Sequence, residues 1–300
     1  DPPVITPDRT RTPSRLSAGL ERFLTTMADW PAPLLFGSFL AWFVGWTIAA
    51  VVVVERLVDE DEQAALAEAA GDLAPAIGVL FSLLTAFVIT SQWNRSRDAE
   101  GAAGREADAA VRVGLASRSP GVDGPGIRRR MITYLDTVIG DEWYALVHHT
   151  GRAHVGTRRT ADVLDEVDHH VRAEATAPDV ATAVTAELLG ASEGLAVARR
   201  DRLNLSGHGL PAPLFVLVFV AGVVLSLDAV LLTVGVGGLS GVVVGGLVVL
   251  IALDLALIVA ISDPFRGPMR ALPTPIAVVL HEFERGRFGP IAESDADRAW

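Results

Sequence analysis

Asp228 and Asp254 each sit inside an otherwise uninterrupted apolar stretch. A carboxylate near the middle of a bilayer costs on the order of several kcal/mol, so such acids face protein or water, and they often serve ion paths. Two readings stay open for this pair: proton or cation handling, or a hydrogen-bonded carboxyl that pins helix packing. Packing is the favoured one. The two acids differ in depth by about 10 Å at ~1.5 Å per helical residue, so a direct pair is not expected.

Asp162, Asp165, Glu166, Asp168, His169 and His170 form a second cluster. Asp165 and His169 are one helical turn apart and could reach one ion, but the same spacing suits a solvated face. No metal site is expected. His148 and His149 precede Gly151, where a helix end favours imidazolium. Arg128, Arg129 and Arg130 either draw anions or anionic lipid headgroups or make a solvated face. The chain has no Ser-x-x-Lys, no phosphate-cradling glycine loop and no His-Glu-x-x-His. No catalytic residue and no cofactor are expected, and an enzyme is not.

The elements that carry these residues are dominated by four apolar runs, Leu34–Leu57, Leu73–Trp93, Pro213–Val234 and Val242–Ser262. Each approaches the ~20 residues that a helix needs to cross ~30 Å of hydrocarbon. Half of the 300 residues are hydrophobic, and the mean hydropathy is +0.39. There is no cysteine, which excludes disulfides and thiolate chemistry. All 25 basic residues are arginine, and the net charge of -11 argues against nucleic-acid binding. The chain begins at Asp1, so a start further upstream is expected, and the Pro- and Thr-rich stretch to Pro13 has the composition of a disordered tail.

Arginine near span ends marks the cytoplasmic side. Arg9, Arg11, Arg15 and Arg22 precede span one; Arg95, Arg97, Arg105 and Arg112 follow span two. Arg199, Arg200 and Arg202 precede span three, and Arg266 and Arg270 follow span four. Asp59, Glu60, Asp61 and Glu62 lie between spans one and two, and an uncharged glycine turn joins spans three and four. These flanks predict a multi-pass protein of the cytoplasmic membrane with both termini inside. They divide the chain into a tail (1–33), spans one and two (34–93), a cytoplasmic helical domain (94–210), spans three and four (211–262) and a C-terminal segment (263–300).

The middle is predicted to be helical: Arg97–Ala116 continuing span two, with Gly101 and Gly104 permitting close packing, then Ile127–His149, Thr160–Ala175 and Asp179–Leu203. The stretch Ser119–Gly126 breaks the first two. The predicted fold class is therefore all-α: four transmembrane helices in two pairs with a cytoplasmic helical bundle.

Several runs carry a resemblance. Gly78-Val79-Leu80-Phe81-Ser82-Leu83-Leu84-Thr85 leads to Thr90-Ser91-Gln92-Trp93-Asn94-Arg95. Asp141-Glu142-Trp143, Ala198-Arg199-Arg200-Asp201-Arg202-Leu203 and Asp263-Pro264-Phe265-Arg266-Gly267 follow in order. Together they resemble the bacterial bestrophin-like family of four-span membrane proteins, related in layout to bestrophin anion channels. That resemblance implies a homo-oligomer, a pentamer favoured, with membrane lipids and small ions such as chloride as partners. It also implies that the second span lines a pore whose apolar neck is Val79, Leu83 and Phe87, with Thr90 below. The dense acidic run that binds calcium in calcium-activated bestrophins is absent after Phe265, so calcium gating is not expected. The reading from a different class is a non-conducting membrane scaffold or sensor whose cytoplasmic domain binds a partner.

Overall fold

The computed structural model describes residues 23–24, 26–27, 29–148, 153–206, 210–233 and 239–289. The chain is all-α, and there is no strand among the described residues. The helices are α1 (Ala32–Leu57), α2 (Glu60–Ala116), α3 (Gly124–Thr137), a π-helical turn (Val138–Trp143), α4 (Tyr144–His148), α5 (Ala153–Ala175), α6 (Thr182–Ser206), α7 (Ala212–Thr233), α8 (Leu239–Ala260) and α9 (Thr274–Glu284). Four of them, α1, α2, α7 and α8, are long and apolar enough to cross a membrane.

Local chemistry explains the boundaries. Pro31 caps α1 and a second proline sits in its first turn, where a missing N–H costs nothing. Asp123 caps α3 by accepting from the Gly126 N–H at 3.0 Å. Most of the acidic run between spans one and two is helix: Glu60, Asp61 and Glu62 form the first turn of α2. Carboxylates at the positive end of a helix dipole stabilise that turn. The predicted continuation of span two is observed as one helix of 57 residues.

The chain divides into two units, 1–92 with 209–263, and 93–208 with 264–300. In the first, α8 packs on both α1 and α7 around Phe39, Phe43, Phe215, Val218, Ile251 and Leu255. The Trp42 and Trp46 rings stack at 6.2 Å, and Trp46 donates to Ser226 Oγ at 3.2 Å. Close approach is concentrated at Gly222. A Cβ there would lie 2.9 Å from Ile251 of α8 and 3.3 Å from Phe81 of α2. Apolar burial gains little between helices in lipid, so small residues that let backbones approach supply much of the packing.

In the second unit the core is built from one alanine-rich face of α2 (Ala99, Ala103, Ala107, Ala110), with Met131 and Leu135 of α3, Val171 of α5 and Leu195 of α6. The segment 264–289 belongs to this unit: Phe283 and Phe288 pack against each other, centroids 4.4 Å apart, over Gly114. Gly101 and Gly104 are expected to serve close packing, but among the described residues no neighbouring helix approaches either of them, whereas Phe283 and Phe288 approach Gly114.

Candidate functional site

In the first unit, the inner face of α2 is set by Phe81, Thr85, Val88 and Gln92, all buried. These recur at helical spacing, so their stripe faces the rest of the unit. Val79, Leu83, Phe87 and Thr90 lie on the opposite side of the helix. The three apolar ones are 60%, 65% and 63% exposed. The four residues singled out from sequence thus share one face that is open among the described residues.

Asp228 and Asp254 differ in environment. Asp228 is 8% exposed, and its Oδ2 is buried without a hydrogen-bond partner. Asp254 is half-buried. Leu232 packs over Gly71, Leu225 over Gly78, and Phe81 against Gly222. These pairs keep one antiparallel register between α2 and α7, which places Asp228 opposite Pro75. Pro75 lies inside α2, and its missing N–H leaves the Gly71 carbonyl without an intrahelical donor.

In the second unit, the three short motifs distant in sequence converge. Arg202 is fully enclosed; its Nε reaches Glu106 Oε2 and its Nη2 reaches Glu142 Oε2, both at 2.5 Å. Arg199 donates to Glu142 Oε1 at 2.6 Å and to the Thr157 carbonyl at 2.9 Å. Tyr134 donates its hydroxyl to Glu106 Oε1 at 2.6 Å. Trp143 lies 5.3 Å beneath the Arg202 guanidinium and meets Phe265 edge-on at 5.5 Å. Arg266 donates to the Leu146 carbonyl at 3.3 Å. The π-helical turn positions Glu142 and Trp143; its wider winding rephases the helix after Val138. Burial alone would lower the Arg202 pKa, but the charges of Glu106 and Glu142 outweigh it and raise the value. Burial, reinforced by the Glu106 charge against the opposing pull of Arg202, raises the Tyr134 phenol well above its ordinary value.

In sequence, Arg199 and Arg202 have the look of a charged span flank, and nothing singles out Glu106. A partner 96 residues away leaves no local signature. Arg128, read as an anion-drawing or solvated residue, is 3% exposed and donates to the Phe288 carbonyl. Arg130 pairs with Glu166 at 3.3 Å, and Arg129 is exposed.

The Asp162–His170 cluster does not gather around a point. Asp162, Asp165 and His169 are exposed, while Asp168 pairs with Arg172 at 2.6 Å and accepts from Ser192 at 2.8 Å. The Arg172 hydrogen bond lowers the Asp168 pKa against the effect of burial. His170 turns instead toward Asp123 and Glu174. His149 and the glycine turn after span three lie outside the described residues.

The sequence matches the family described as Bestrophin-like domain over residues 41–276. No curated protein matches it. Among solved structures, a point mutant of a bacterial bestrophin homolog from Klebsiella pneumoniae superposes with a TM-score of 0.63 at 13% identity, covering 83% of this chain and 96% of that one. A point mutant of a protein described only as a membrane protein gives 0.63 at 14% identity, with the same coverage. A second such mutant gives 0.61 at 14% identity over 82% of this chain and 95% of that one. These likenesses are in fold, and the family match over most of the sequence shows that this multi-pass membrane protein belongs to the bestrophin-like family.

Proposed function

We propose that the protein is a homo-oligomeric ion channel, a pentamer conducting small anions such as chloride, with α2 nearest the axis. The observation that carries this reading is the open apolar face of α2. Val79, Leu83 and Phe87 stand opposite the side that packs within the protomer. A ring of copies would bring these faces together as a neck, with Thr90 at its polar end. Rings of apolar side chains gate a pore by dewetting. Both termini and the second unit lie on the cytoplasmic side of the cell membrane in this reading, because the arginine-rich flanks all fall there. Asp228 serves packing where α7 faces Pro75 of α2, and Asp254 plays no part in conduction. No catalytic role belongs to this reading.

Mass measurement in mild detergent and flux through liposomes test it together. The expected results are a ring-sized oligomer and a flux that rises in Leu83→Ala and Val79→Ala. Asp228→Asn and Asp254→Asn should change flux little. A monomer would leave no axial pore and favour a non-conducting scaffold. Loss of flux in Asp254→Asn with no change in Leu83→Ala would move the path to α7 and α8.

A further inference from the structure

His170 and Glu174 stand one turn apart on α5, so both side chains leave the same face. Asp123, the cap of α3, is brought to that face by the break after α2. One ligand atom from each of the three lies within 4.8 Å of the others. The Nε2 of His170 is buried, has no hydrogen-bond partner, and lies 3.5 Å from Asp123 Oδ2. Two atoms each bound tetrahedrally to one zinc at ~2.05 Å stand about 3.4 Å apart, so the observed separation suits a shared ion.

The two carboxylates are already oriented by backbone donors. Asp123 Oδ1 accepts from Gly126 N–H, and Glu174 Oε2 accepts from the Asp123 N–H at 2.8 Å. Each carboxylate keeps a second oxygen for a ligand, the arrangement by which outer partners aim metal-binding groups. Gly126 leaves the necessary room: a Cβ there would fall 2.0 Å from Asp123 Oδ2 and 2.8 Å from His170 Nε2.

We propose that Asp123, His170 and Glu174 bind a divalent cation of the zinc type, which clips the N-terminus of α3 to α5. One imidazole nitrogen with two carboxylates favours zinc over the all-oxygen cations calcium and magnesium, and the exposed side of the site leaves a fourth position for water. The proposal is independent of conduction.

The test uses the full chain in detergent, stripped with a chelator and titrated calorimetrically with zinc chloride, with bound metal counted by elemental analysis. One zinc per chain is expected, undisplaced by excess calcium. His170→Ala should weaken binding by at least about tenfold. Asp123→Asn keeps a cap acceptor for α3 but loses the anionic ligand, and it should weaken binding comparably. His169→Ala, next along the helix but exposed, should bind as the unaltered chain does. If His170→Ala loses its helical circular dichroism, Asp123→Asn decides. No saturable zinc binding, equal affinity in Asp123→Asn, or full displacement by calcium would overturn the site.

Discussion

Arg202 is fully buried, and Glu106 and Glu142 supply the compensating charge. Removing one member of such a buried group leaves the others uncompensated, which costs about 3–5 kcal/mol. Arg202→Met should therefore lower stability by that order in denaturant titrations followed by circular dichroism, and an unchanged midpoint would contradict the buried network. Tyr134 allows a pH test. Its pKa is raised, so the native state holds the neutral phenol. That stabilisation is present below the unfolded value of about 10 and is lost as pH rises toward the folded value. The chain has no lysine and no cysteine, and its one other tyrosine, Tyr144, is exposed, so few groups share this alkaline window. Tyr134→Phe should be less stable by about 1–3 kcal/mol at neutral pH, because Glu106 Oε1 loses the nearer of its two donors. Above about pH 10 the gap between the two proteins should narrow steadily as pH rises; a gap that stays constant would show that folding does not shift Tyr134.

At the scale of elements, glycines separate into those that admit a neighbour and those that do not. Gly222 sits where α2, α7 and α8 approach, whereas Gly104 meets nothing within 4 Å. Gly222→Ala should overpack that junction and lower stability by about 1–3 kcal/mol. Gly104→Ala should be neutral or stabilising by up to about 1 kcal/mol, since alanine is the better helix former. Thermal melts of the two variants in one detergent would compare them directly, and equal shifts would refute the packing account. The π-helical turn belongs to this scale too. It places Val138, Glu142 and Trp143 on the buried side, inside the stretch Ile127–His149 where the sequence predicts a regular helix.

For the whole molecule, the proposed orientation has a direct readout. A reporter active only outside the cytoplasm, fused after Trp300, should stay silent because the arginines that follow span four hold that end inside. Strong reporter activity would reverse the topology and place the second unit on the opposite side.

The spans and the long α2 were legible from the chain because an unbroken apolar run near 20 residues and a sustained helical composition are local quantities. The four residues of the α2 face were also legible as a helical stripe, since their spacing alone puts them on one side. What local patterning could not show is which face of α2 packs inward, because that depends on α7 and α8, placed more than a hundred residues away. The same limit hid Glu106 as the partner of Arg202, Arg128 as the tie to Phe288, and the meeting of Asp123 with His170 and Glu174. A charge reads the same in sequence whether solvated or enclosed; only the folded neighbours decide whether its compensation comes from water or from a side chain.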